Sequence, residues 1–123
     1  DLQCSELHGT GTALGDPIEV GALRLVFGNS TGLVLGALKS RLGHTEGAAG
    51  VLGVLKVTLV LTEASVSPNL HLQEANPKID LEGFAVAMPS GVVSIRPRQI
   101  DNTLDSGVSA FGLSGTNARV VLQ

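Results

Sequence analysis

Residues 47–61 carry one charge, Lys56, in a stretch otherwise made of glycine, aliphatic residues and a threonine. Wound as a helix, this stretch has apolar residues on almost every side, so it is stable only when other elements cover it. A bilayer span needs about 20 apolar residues, and this run is shorter. The reading is a buried helix over residues 46–61, capped by Thr45 or a neighbour, at the centre of a layered fold. Gly47, Gly50 and Gly53 recur every three residues along one face. Each glycine costs about 1 kcal/mol of helix stability, so the ladder implies close approach of another backbone.

The rest of the chain supplies the layers. Residues 33–38 are continuously apolar, as in a strand covered on both faces. Residues 1–7 read as a short strand feeding a glycine-rich loop, 8–12, whose backbone can approach another group closely. A helix follows from Asp16 to about Phe27, with Asp16 as N-cap, Pro17 in the first turn, Glu19 as a capping-box carboxylate and Gly28-Asn29 as the stop. Residues 39–44 read as a polar loop, 65–80 as an irregular connection, 84–88 as a strand and 90–105 as a surface loop. Segments 107–111 and 118–122 form a hairpin around a turn at 112–117. This order predicts a layered α/β domain. The first strand looks too short to close a sheet alone, so further sheet from outside these 123 residues is expected.

A composition of 43% hydrophobic and 15% charged residues is globular. The net charge of −3 gives no basic footprint for nucleic acid, and three Phe without Tyr or Trp offer few stacking platforms. One cysteine cannot form an internal disulfide, which fits a reducing cytoplasm or organellar stroma. The chain starts at Asp1, and residues 1–7 do not resemble a signal peptide, so a piece of a longer polypeptide is expected.

His8 and His44 occupy parallel places, each in a glycine-containing loop after a strand. A helix N-terminus disfavours imidazolium, and a neutral imidazole there can donate an N–H to a developing oxyanion. Lys39, five residues before His44, adds a cation or donor. A lone histidine reads as an ordinary structural residue; the parallel pair points to a site. Thr10 and Thr12 can present hydroxyls to an amide or phosphate, or serve the turn. Capping accounts for Asp16 and Glu19. Cys4 sits inside a strand, where nothing activates a thiolate, and reads as core. His71 reads as structural, and it shows no metal-ligand spacing with Asp80 or Glu82.

Four motifs together resemble the β-ketoacyl synthases. His8-Gly9-Thr10-Gly11-Thr12 running into Gly15-Asp16-Pro17-Ile18-Glu19 is similar to the first histidine motif. The run from Lys39 through Gly43-His44-Thr45-Glu46-Gly47 to Gly50 is similar to the lysine and second histidine motif. Pro68-Asn69-Leu70-His71, Asn76-Pro77 and Ile79-Asp80-Leu81 resemble the connection that follows, and Gly107 to Ala118 resembles the glycine-rich hairpin. The wording is nearest to modular polyketide synthases and type I fatty acid synthases.

The resemblance implies a thiolase-like α/β fold, with this chain as the C-terminal part of a ketosynthase domain. It implies decarboxylative Claisen condensation, with substrates carried on the phosphopantetheine of acyl carrier protein and no cofactor or metal bound directly. By resemblance, His8 and His44 donate to the malonyl thioester oxygen, and Lys39 orients the second histidine's loop. Thr10 and Thr12 bind the pantetheine arm. The Leu113 N–H forms half of an oxyanion hole and its side chain a gate, Phe111 lines the acyl pocket, and Asn117 holds the turn. The cysteine nucleophile belongs to an N-terminal half outside this sequence, so the chain alone is expected to be inactive. The implied partners are acyl carrier protein, that N-terminal half and, in the intact enzyme, a second copy; no nucleic acid or membrane is expected. Arg24, Arg41, Lys78, Arg96 and Arg98 are the cations available to an acidic carrier.

Three departures stand out. Arg119 follows Ala118 where relatives often have histidine. Residues 92–105 match the family poorly. Some relatives place a carboxylate for the lysine where this chain has Gly53, so Lys39 needs another partner. The competing readings are a non-catalytic, chain-length-factor-like scaffold, which has no need of the histidine pair, and an anion-binding module on residues 9–15, which lacks a suitably placed lysine.

Overall fold

Leu33 and Leu35 point to one side of their strand and Val34 to the other, and all three are buried. That alternation sets the layers. The computed structural model describes residues 2–29 and 32–123. The elements are β1 (Cys4–Glu6), α1 (Gly15–Phe27), β2 (Leu33–Gly36), α2 (Lys39–Leu42), a 3-10 turn (Glu46–Ala48), α3 (Ala49–Glu63), β3 (Ser65–Val66), β4 (Val86–Ala87), β5 (Val93–Ser94), β6 (Ser106–Phe111) and β7 (Asn117–Leu122).

Five of the described strands form one sheet in the order β4-β2-β1-β6-β7. β1 lies in the middle, parallel to β2 and β6, with Glu6 opposite Gly36 and Val108. The short first strand is therefore the sheet's axis, with β4 and β7 as the edge strands among the described residues. Asp1 of the expected first strand lies outside the described residues. α1 covers one face through Val20 and Leu23, which pack with Leu2, Leu33, Leu35 and Phe84. α3 covers the other face, where Val60 packs with Cys4, Val34, Val66 and Ile95. Burying each such aliphatic side chain contributes about 1.5–3 kcal/mol, so both helices are held mainly by their sheet-facing stripes.

α3 departs from the sequence reading in one respect. Gly53, Lys56, Val57 and Val60 are buried against the sheet, whereas Val51, Leu55 and Leu59 on the opposite side are 56–63% exposed. Within this chain the helix has one covered face. The glycine ladder is also partial. A Cβ at Gly53 would meet Val108 at 2.8 Å and one at Gly50 would meet Ala110 at 3.4 Å, while Gly47 faces open space.

Other differences are local. Residues 39–44 are not a plain loop; Lys39–Leu42 make one helical turn ending at Gly43, whose φ is +73°. α3 begins at Ala49 rather than residue 46, after the 3-10 turn, and Thr45 supplies no side-chain cap. The expected strand at 84–88 shrinks to Val86–Ala87. Inside the irregular segments, β3 and β5 pair antiparallel, and Arg98 gathers Asp101 and Asp105 at 2.5 and 3.0 Å, which folds the 98–105 loop on itself. Among the described residues, no helix is long and apolar enough to cross a membrane.

Candidate active site

The sheet delivers both histidines to one edge. Leu7 continues β1 by donating its N–H to Gly36 O at 2.8 Å, and the chain then turns at Gly9, where φ is +49°. The turn places the His8 ring 5.4 Å from the His44 ring, edge to face, and 5.3 Å from the Phe111 ring. β6 runs parallel to β1, so its last residue, Phe111, arrives beside His8.

Each imidazole accepts a backbone N–H on the same ring atom. Phe111 N–H donates to His8 Nδ1 at 3.3 Å, and Glu46 N–H donates to His44 Nδ1 at 3.1 Å. An accepting Nδ1 leaves the proton of a neutral ring on Nε2. Both histidines are thus set as Nε2–H donors. His44 meets the 3-10 turn rather than the first turn of α3, and its partner Glu46 holds a left-handed φ of +48°, a conformation that costs a non-glycine residue on the order of 1 kcal/mol. The His8 pKa lies below its ordinary value, chiefly because burial disfavours the cation, with Lys39 and His44 adding to the effect.

Two expected capping residues do other work. α1 begins at Gly15, whose N–H donates to Thr12 Oγ1 at 3.0 Å, so Thr12 closes the helix start. Asp16 Oδ1 accepts the Gly11 N–H at 3.1 Å. Glu19, 5% exposed, accepts the N–H groups of His8 and Gly9 at 2.7 and 2.9 Å. No capping box forms; both carboxylates turn back to fix the histidine loop. Burial raises the Glu19 pKa, and the two amide bonds oppose that rise. Thr10 and Thr12 sit with their hydroxyls 3.5 Å apart.

Lys39 opens α2 and is half-buried, which lowers its pKa; the charges of Glu6 and Glu19 pull it back up. Glu6 lines one cleft with Lys39. Sequence reasoning overlooked Glu6, and also Lys56, although a lone charge in an apolar helix was a signal. Beside the loop a cavity of about 310 Å³ is lined by Gly9, Thr10, Lys39, Ser40, His71 and Met88, among others. His71, expected to be structural, therefore borders the site.

The remaining residues fall around this centre. Cys4 is 1% exposed, and burial pushes its thiol up to about 12. Leu113 stands fully exposed at the hairpin tip. That turn is closed by its own backbone, through Gly112 N–H to Thr116 O at 2.7 Å and Gly115 N–H to Gly112 O at 3.0 Å, with Asn117 opposite Phe111 on the first rung. Arg119 donates to Ser109 and Ser5 at 2.5 and 3.1 Å and lies over the Phe27 ring at 5.8 Å, so it ties β7 to β6, β1 and α1. Among the described residues, no three His, Cys, Asp or Glu side chains gather as a metal site.

The family described as "Beta-ketoacyl synthase, C-terminal domain" matches residues 1–73. The chain belongs to the β-ketoacyl synthase family. Across 99% of its length the ketosynthase chain is 42% identical to the hybrid PKS-NRPS synthetase pynA of Aspergillus niger, covering 3% of that protein. It is 44% identical over its whole length to erythronolide synthase EryA2 of Saccharopolyspora erythraea, covering 4%. The crystal structure of ketosynthase twelve from the bacillaene polyketide synthase of Bacillus amyloliquefaciens aligns over 98% of this chain and 22% of that one, with a TM-score of 0.88 and 32% identity. The fold is therefore that of ketosynthase domains, the thiolase-like α/β architecture. The chain spans about a fifth of that ketosynthase and a few per cent of the synthases.

Proposed function

We propose that residues 1–123 are the C-terminal part of a ketosynthase domain that carries out decarboxylative Claisen condensation within a polyketide or fatty acid synthase. The observation that carries this reading is the facing pair His8 and His44, each with Nδ1 filled by a backbone N–H and Nε2–H free to donate.

The chemistry follows from those two donors. A malonyl thioester on acyl carrier protein places its carbonyl oxygen between the Nε2–H groups. The C–C bond to the carboxylate breaks, CO2 leaves, and the electron pair passes into the enolate, whose oxygen the two donors stabilise. The enolate carbon attacks an acyl thioester held on a cysteine of the rest of the domain, and that thiolate departs. The Leu113 N–H is one oxyanion donor for this step, and Phe111 lines the acyl side. Cys4 is unsuited as the nucleophile, because a thiol titrating at about 12 is not a thiolate at neutral pH. The chain alone is therefore inactive, and its partners are the cysteine-bearing half, acyl carrier protein and, in the intact enzyme, a second copy. The Thr10 hydroxyl, 3.5 Å from that of Thr12, and the cavity that Thr10 lines suit a pantetheine arm, which is carried by the substrate. A cytoplasmic or organellar-stroma setting suits these partners.

The test is release of CO2 from malonyl-acyl carrier protein by the intact protein containing this chain. Parent protein should decarboxylate, and His8→Ala and His44→Ala should each lose about a hundredfold or more, as loss of one oxyanion donor does elsewhere. An unsubstituted protein with no turnover, or histidine variants with full turnover, would favour the scaffold reading instead.

A further inference from the structure

Lys56 is the single basic residue of α3, whose other charge, Glu63, is its last residue, and the fold buries Lys56 to 9% exposure. Its ammonium donates to Glu6 Oε2 at 2.5 Å, and the Glu6 side chain keeps 3% exposure. Each ion loses several kcal/mol of hydration in such a place, and an apolar pair of equal volume often holds a core as well or better. Stability alone gives no reason for the pair. Room is nonetheless set aside for it, since a Cβ at Gly36 would lie 2.7 Å from the Glu6 carboxylate and 2.8 Å from Lys56 Nζ.

The second oxygen of Glu6 supplies what an apolar pair lacks. Glu6 Oε1 accepts the backbone N–H of Leu38 at 2.5 Å. The amide just before is held by Asn69, whose Oδ1 accepts the Ala37 N–H at 2.7 Å while Nδ2 donates to Leu35 O at 3.0 Å. Two consecutive amides at the root of the Lys39–His44 segment are thus held by side chains from separate parts of the chain. Glu6 and Lys39 also line one narrow cleft, together with Gly43, Thr45 and Gly53.

We propose that Glu6 and Lys56 are positioning residues for the condensing site: Glu6 fixes the Leu38 amide at the start of the Lys39–His44 segment, Lys56 is its buried counter-charge, and together they set Lys39 and His44 against His8. Neither side chain touches substrate. The inference rests on the condensing role proposed above.

The experiment compares the intact protein with Glu6→Gln and with the double variant Glu6→Leu/Lys56→Met, which removes both charges and keeps the bulk. Melting temperature is measured beside kcat and KM for decarboxylation of malonyl-acyl carrier protein. The double variant should melt within a few degrees of the parent. Its kcat should fall about tenfold to a hundredfold, the scale of an ångström-sized misplacement, with KM little changed because the Thr10–Thr12 side is untouched. Glu6→Gln, which leaves Lys56 without its counter-charge, should lose both stability and kcat. A folded double variant with parental kcat overturns the inference, and so does failure of both variants to fold, because the pair then has no role separable from the core. A parent protein that does not decarboxylate defeats the condensing reading itself and the inference with it.

Discussion

Adding one methyl group at Gly53 tests how tightly α3 is seated. A Cβ there would stand 2.8 Å from Val108 Cγ1, and Val108 is 4% exposed in the middle of β6, paired on both sides with Glu6 and Val120. Valine has few alternative rotamers, so the contact is relieved only by moving the helix or the strand. Glycine to alanine inside a helix contributes about 0.5–1 kcal/mol of stability, while overpacking a closed core costs about 1–3 kcal/mol. The net expectation is a loss of up to about 2.5 kcal/mol. Gly50 provides the control on the same helix. Its Cβ would meet Ala110 at 3.4 Å, near ordinary contact, so Gly50→Ala should be neutral or stabilising by about 0.5 kcal/mol. Urea unfolding of the two variants and the parent measures both values. Gly53→Ala should also slow decarboxylation, because β6 carries Phe111, whose N–H reaches His8. Equal stability of the two alanine variants would refute the seating argument.

The thiol of Cys4, pushed up to about 12 by burial, should resist iodoacetamide at pH 8 in the folded protein and react readily in denaturant; equal rates in both would disprove its place in the core. Glu19→Gln should destabilise the protein by about 1–3 kcal/mol, since the His8 and Gly9 N–H groups are accepted by separate oxygens of Glu19 and the amide turns an NH2 toward one of them; thermal melts and decarboxylation rates would both fall, and an unchanged rate would remove Glu19 from the support of the histidine loop. The lowered His8 pKa has a definite sign. Below the ordinary value of 6.5 the unfolded chain takes up its proton first, so stability should fall as pH drops from about 6.5 through the lower folded-state value. His8→Gln should flatten that part of a stability-versus-pH curve, and an identical slope in parent and variant would show that His8 titrates alike in both states.

Local order fixes much of this molecule. The two-sided apolar run of β2, the span of α1 and the hairpin of β6 and β7 are readable because periodicity, glycine and proline act within a few residues, and the histidine, lysine and threonine motifs are readable through their resemblance to β-ketoacyl synthases. Tertiary structure decided the rest by joining groups far apart in the chain. Glu19 has the spacing of a capping-box residue, yet packing against the His8 loop gives it two nearer donors. The two-residue strands β3 and β5 carry no period of their own and exist only because they pair across 27 or more residues. Glu6 and Lys56 are 50 positions apart, and no local pattern says that a strand carboxylate and a helix ammonium will meet. The histidines show the same division. The sequence determined that both lie in glycine-containing loops, His8 directly after β1; the helical turn α2 between β2 and His44 was decided by the tertiary structure. The parallel seating of β6 beside β1 and the positive φ of Glu46 decided which nitrogen of each ring accepts a backbone N–H, and so which one faces outward as a donor.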